Sequence, residues 1–223
     1  MIDGHRAAHT GTGLAEPPDD AAALHGFPRA VPVTSLHRLS DHRQGWYYHG
    51  VDDPDRDPGG RFDLRDPHGT CHTAESLDGA LVEKLLRRPT KVVVTERLHE
   101  LFHSTITVHR SPRSADLTSP AATRWGINAE IHSTLLYRVP RGWARQLHRA
   151  GWRALRHRLR GDSSGQQAGV ALFGGRGLHT RAPAGMHTHA APLDARAAHR
   201  LLQARGVEVR PIPAHVPITA PPA

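Results

Sequence analysis

The chain has 223 residues, 38% hydrophobic and 5% aromatic, enough for one well-buried core and marginal for two. Its formal net charge of +8 rests on 29 Lys+Arg, mostly arginine, against 21 Asp+Glu. That surface attracts phosphorylated ligands, acidic partners or nucleic acid without choosing among them. A lone cysteine, Cys71, excludes an internal disulfide and a cysteine-based zinc cluster.

Residues 1–30 are rich in Ala, Gly, Pro and His without a sustained period, so a disordered N-terminal tail is expected there. Residues 31–209 form the expected domain, and 210–223 a flexible C-terminal tail. No apolar stretch approaches the ~20 residues that span a bilayer, and no signal-like apolar region opens the chain; a soluble, cytoplasmic protein without membrane contact is expected.

Val31 to Leu39 is a short apolar-bearing segment that contains Arg38. Trp46 to His49 follow, and Asp52 to Gly60 read as a long turn. Residues 69–74 read as a strand. Ser76 then suits the N-cap of a helix over 77–88, with Leu77, Leu81 and Leu85 on one face and Pro89 as its stop. Residues 91–95 are strand-like. The stretch 97–110 is ambiguous: Leu98, Leu101 and Phe102 favour a helical turn, Ile106 to Val108 a strand. Residues 115–120 read as a strand end entering a short helix. A helix is predicted over 140–150, with Pro140 in its first turn and Gly151 just past its end.

From 152 to 160 the period drops to two. Leu155, His157 and Leu159 alternate with Arg156, Arg158 and Arg160, as in a half-buried strand, and an apolar strand from Ala168 to Gly174 completes a hairpin. A last helix is expected at 193–205, ending at Gly206. His187-Thr-His189 has metal-ligand spacing but no third ligand and sits in apparent loop, so no metal site is expected. Short strands, a few helices and no βαβ alternation predict a single compact α+β domain; a dinucleotide fingerprint and a P-loop are both missing.

Seven fragments follow one another in order: Leu36-His-Arg38, Gly60-Arg-Phe-Asp-Leu64, Gly69-Thr-Cys-His-Thr-Ala-Glu-Ser76, Gly79-Ala-Leu-Val-Glu83, Ala115-Asp-Leu-Thr-Ser119, Trp143 through Gly151, and Val170-Ala-Leu-Phe-Gly174. On these pieces residues 31–175 resemble the RES-domain family. The resemblance implies a fold similar to ADP-ribosyltransferases and cleavage of the nicotinamide–ribose bond of NAD+, its substrate, by phosphate or water. It also implies the toxin of a bacterial toxin–antitoxin pair, with a helix-turn-helix antitoxin as partner. Arg38 and Arg61 would hold the pyrophosphate and Glu83 would act at the nicotinamide ribose. His72 stands where the family usually has Tyr, and Arg138 where its Ser falls, with Ser133 the nearest serine. Tyr137 and Arg138 are therefore taken with the NAD-binding set, and His72 is placed near the nicotinamide.

The chemistry suits these residue types. Breaking the N-glycosidic bond builds positive charge on the ribose, which a carboxylate stabilises, and guanidinium forks pair well with a pyrophosphate. Each candidate also has a bland reading. Glu83 would pair with Lys84 or Arg87, Arg61 would be a solvated loop residue, and Arg38 would sit at the surface or pair with an aspartate of 52–57. His72 would be structural, Tyr47, Tyr48 and Tyr137 would be packing aromatics, and Cys71 a small core residue rather than a nucleophile. Arg141, Arg145 and Arg149 form a basic helix stripe, read first as a solvated face and otherwise as an antitoxin dock; nucleic acid is not the expected partner. ADP-ribosyl transfer to a macromolecule, and a degenerate RES fold kept as a basic binding module, remain open alternatives.

Overall fold

The computed structural model describes residues 13–53, 58–87 and 91–213. Seven strands share one sheet: β1 (Ser35–Ser40), β2 (His68–Ala74), β3 (Phe102–Val108), β4 (Ser114–Asp116), β5 (Ala154–Arg158), β6 (Ala168–Gly175) and β7 (Met186–Pro192). Their spatial order is β7-β3-β1-β2-β6-β5-β4, antiparallel throughout except for the parallel pair β4–β5. The longer helices are α1 (Leu77–Leu85), α2 (Thr95–His99), α3 (Arg138–Arg149) and α4 (Ala195–Ala204), with a single α-helical turn at Glu130–Ser133 and 3-10 turns at Ala21–Gly26 and Pro120–Trp125. Among the described residues no helix is long and apolar enough to cross a membrane.

The apolar run Ala168 to Phe173 is buried on both faces, as an interior strand requires. One side of the sheet packs Leu36, Cys71, Ile106, Val170 and Leu172 together. The other side carries Leu155, Ala171 and Phe173 against Trp143 and Leu147 of α3. Next to them, Leu39 and Ala74 lie under Ala80 and Leu81 of α1 and Leu202 of α4. Helix α1 starts where the sequence places it: Ser76 accepts a hydrogen bond from Gly79 N at 2.9 Å. The predicted hairpin forms between β5 and β6, with Ala168 opposite Arg158.

The sheet is nearly split between β1 and β2, which pair only through His37 and Ala74. Their outer neighbours hold them in full registers, from Ser35–Thr107 to Ser40–Phe102 and from Gly169–Ala74 to Gly175–His68. A sheet parted in this way leaves backbone acceptors of β2 open to side chains from β1.

Four expectations are corrected. Residues 14–30 are packed, with Leu14, Leu24 and Phe27 buried in the α3 cluster. The reason is polar as well as apolar. Trp143 Nε1 donates to Ala15 O at 2.8 Å and Trp152 Nε1 to Leu24 O at 3.0 Å, so two buried indoles need this segment's carbonyls. At the other end, Glu208–Arg210 pairs in parallel with Val92–Val94; residues 1–12 of the expected N-terminal tail and 214–223 of the expected C-terminal tail lie outside the described residues. Arg141 is not part of a wet stripe. It is 3% exposed and donates from Nε to Gly60 O at 3.1 Å, while Arg145 and Arg149 are exposed. His187 and His189 belong to β7 rather than a loop, both exposed, and no group of three or more potential metal ligands exists among the described residues.

Candidate active site

The site is built on the turn before β2. Gly60 is required there by contact, since a Cβ would lie 2.6 Å from Asp63 Oδ1 and 2.8 Å from His72 Nε2. In that space Gly60 N donates to Asp63 Oδ2 at 2.5 Å and His72 Nε2 donates to Asp63 Oδ1 at 2.7 Å. Asp63 is 2% exposed. Burial pushes its pKa up, but the His72 and Gly60 hydrogen bonds and the nearby positive charge prevail and hold it below the usual carboxylate value. An Asp between Phe62 and Leu64 gave no sign of this pairing in the sequence.

Arg61 leaves the same turn and donates from Nη1 to the carbonyls of Ile131, at 3.5 Å, and His132. Burial lowers its pKa to about 10, with Glu83 acting in the opposite sense across the cavity, so it stays a cation at neutral pH. The solvated-loop reading of Arg61 is thereby excluded. Glu83 lies on the cavity side of α1, flanked by buried Leu81 and Val82. Its bland partners are engaged elsewhere: Lys84 bonds Asp41 at 2.5 Å and Arg87 donates to Gly59 O at 3.2 Å. Among the described residues no hydrogen bond or ion pair reaches the Glu83 carboxylate.

Arg61, His72, Glu83, Tyr137, His157 and Arg160 line one cavity of ≈ 20 Å³, room for about one water. Tyr137, Arg87 and Arg160 also border an open groove of ≈ 1690 Å³. Arg160 forms the partition, donating to Tyr137 Oη at 3.1 Å and to Arg87 O. Gly161 lets this loop close on α1, because a Cβ there would lie 2.7 Å from Leu86 O. Arg160 and Arg87 were not anticipated as site residues; the alternating pattern that placed Arg160 on the wet face of a strand was the available hint.

Two predicted site residues are elsewhere. Arg38 alternates onto the sheet face opposite His72 and is 8% exposed. Its Nη1 donates to Cys71 Sγ at 2.7 Å and, through the split, to His72 O at 3.4 Å. It braces β2 from behind and does not line the cavity with Arg61 and Glu83. Arg138, on the outer side of α3, bonds Glu16 at the surface and faces a separate groove. Ser133 is exposed on the rim of the large groove. Cys71 is fully buried and burial raises its thiol pKa, against a role as nucleophile. Tyr48 packs in the core and Tyr47 is exposed.

A split mixed sheet with a cavity between its central turn and α1 defines the fold class as α+β. The fold matches a chain of the crystal structure of the Mycobacterium tuberculosis MbcT–MbcA toxin–antitoxin complex with a TM-score of 0.52. The two are 15% identical, and the match covers 81% of this chain and 94% of that one. No family model and no curated protein matches the sequence.

Proposed function

We propose that the protein is an NAD+-consuming enzyme that cleaves the nicotinamide–ribose bond and passes ADP-ribose to phosphate or water, as the toxin of a toxin–antitoxin pair. One observation carries the chemistry: Glu83 is a carboxylate without a hydrogen-bond or ion-pair partner among the described residues, in a cavity it shares with the half-buried cation Arg61. A carboxylate that faces a cation across a cavity without bonding it directly is suited to positive charge that appears only as the glycosidic bond breaks. The toxin role is supported by the RES-type fragments and by a fold shared with a chain from a toxin–antitoxin complex. A partner antitoxin follows from the same reading.

In this reading the pyrophosphate lies where the groove meets the cavity, against Arg61, Arg87 and Arg160, whose hydrogen-bond acceptors among the described residues are carbonyls and a phenol rather than carboxylates. The nicotinamide ribose enters beside Glu83. A cavity of ≈ 20 Å³ holds neither ring, so Arg160 must leave Tyr137 on binding, and its freed fork takes a phosphate oxygen. Arg38 acts by holding the strand that carries His72.

The test is nicotinamide release from NAD+ by the purified chain. Turnover that Glu83→Gln cuts by about 10²–10³-fold without lowering the melting temperature is expected. Unchanged turnover in that variant, or none in the wild type, overturns the reading.

A further inference from the structure

The groove beyond Arg160 has far more room than a pyrophosphate fills. It measures ≈ 1690 Å³ against ≈ 20 Å³ for the cavity. Arg87, Tyr137, Arg160 and Gly161 line both, so a ligand with one end in the cavity has its other end in the groove. Among the described residues the cations lining the groove fall into two groups. Lys84 is bonded to Asp41 at 2.5 Å, and Arg205 to Asp78 and Asp162 at 2.6–3.1 Å. Arg87 and Arg160 instead donate to carbonyls and a phenol. A guanidinium whose acceptors are neutral keeps its charge for an anion, whereas one held by carboxylates has it cancelled. The anionic part of a ligand is therefore held at the Arg87–Arg160 end, and the part that extends from it along the groove is uncharged.

Helix α1 keeps the two groups apart. From Asp78, where Arg205 is held, to Leu85, two residues before Arg87, it rises roughly 10 Å. Leu86, which directly precedes Arg87, and Leu201 of α4 both line the groove. Each is partly exposed and packs on the apolar cluster under α1 and α4. Ser163 and Gln166 are exposed on the same groove and offer a hydroxyl and an amide. Apolar side chains with a few polar groups beside them suit the faces and the edge of a purine. A nucleic-acid strand, with a phosphate at every step, would set charges against Asp78 and Asp162 instead.

Building on the NAD+ reading above, we propose that this groove is the subsite for the adenosine half of the substrate, with Leu86 and Leu201 against the purine and Arg87 and Arg160 on the diphosphate. The adenosine adds affinity on its own account, through surface that neither the diphosphate nor the nicotinamide end reaches. The groove therefore recognises nucleoside diphosphates as a class, and a ligand that ends at its phosphates forgoes the leucine contacts.

Calorimetric titration of the full chain with ADP and with inorganic pyrophosphate separates the two parts of the subsite. ADP should bind at least about tenfold more tightly than pyrophosphate. Leu86→Ser and Leu201→Ser should weaken ADP, by about tenfold in at least one of them, while pyrophosphate binds as to the wild type. The unchanged pyrophosphate affinity also shows that the variant is folded; where a variant loses both ligands, the wild-type comparison decides. ADP bound no more tightly than pyrophosphate leaves the groove to a macromolecular partner and overturns the inference. So do two folded leucine variants that bind ADP like the wild type. Either result leaves the NAD+ reading to stand on nicotinamide release, measured with the same preparation. Intact NAD+ beside the expected ADP pattern does the reverse: the turnover reading falls and the nucleoside diphosphate site stays.

Discussion

The two ends of α1 hold their charges in opposite ways. Near its first turn Arg205 is clamped by carboxylates, with Nε and Nη2 on Asp78 at 2.7 and 2.6 Å and Nη1 on Asp162 at 3.1 Å. Those bonds raise the Arg205 pKa and outweigh its burial, and Asp78 is well placed at a helix start. Beyond the last turn, Arg61, Arg87 and Arg160 touch only neutral acceptors, while Glu83 makes no bond at all among the described residues. A charge buried with its counter-ion serves the fold. Arg61 and Glu83 instead face each other across a cavity without a direct bond, an arrangement that marks a candidate functional site.

That contrast can be broken at its most demanding point with Glu83→Gln. Loss of the carboxylate should cut NAD+ turnover by about 10²–10³-fold, roughly 2.7–4 kcal/mol of transition-state stabilisation, with an unchanged melting temperature. Steady-state kinetics and calorimetry on one preparation give both numbers, and a large drop in melting temperature would assign Glu83 to the fold instead. Arg205→Ala should do the reverse. Removing Arg205 leaves Asp162, whose side chain is 1% exposed, with Ser164 Oγ and Gln167 N as its remaining donors and should cost about 2–3 kcal/mol in denaturant unfolding. Its KM and kcat should match wild type at temperatures where it stays folded.

Arg160→Ala sharpens the same point on a smaller scale. KM for NAD+ should rise about tenfold, near 1.4 kcal/mol, with no loss of stability, since only a phenol and a carbonyl lose a donor. A destabilised Arg160→Ala with unchanged KM would make Arg160 a structural partition rather than a phosphate ligand.

A separate effect, on the fold rather than the site, is on stability in mild acid. Burial lowers the pKa of His157 well below its usual value of 6.5 and that of His132 to about 4. Both are neutral in the folded chain. The unfolded chain takes up protons first as pH drops through 6.5, so stability should fall from there and keep falling to about pH 4, where folded His132 protonates too. Asp63 adds nothing in this window, because a carboxyl held below its usual value loses its contribution only below about 3.8. Melting temperatures between pH 7.5 and 4.5 test this; a flat series contradicts it.

The elements best read from the sequence were those whose period and punctuation agree locally. Ser76 caps α1, Leu81 faces the core, and the alternation at 154–158 becomes β5, joined to β6 by the expected hairpin. Helix α3 begins two residues before its predicted start, with Pro140 still in its first turn. Failures came where a partner far along the chain decides. The Ala- and Pro-rich stretch 14–30 looked like tail until two tryptophans, 128 positions away from their acceptors, used its carbonyls. Strand β7 has little apolar content because it borders only β3, and Arg141 left its apparent stripe to reach the Gly60 carbonyl.

For the site, the sequence by itself determined the residue types. Arg61, His72 and Glu83 were grouped by the RES-type fragments, and the fold brings all three to one cavity. What only the tertiary structure decided is which charges meet. One residue of strand alternation turns Arg38 to the far face of the sheet, and one turn of helix sends Arg138 to Glu16 at the surface. Asp63 came into the site, and Arg160 into the wall between cavity and groove, because they depend on backbone approaches of under 3 Å that no spacing in a linear sequence records.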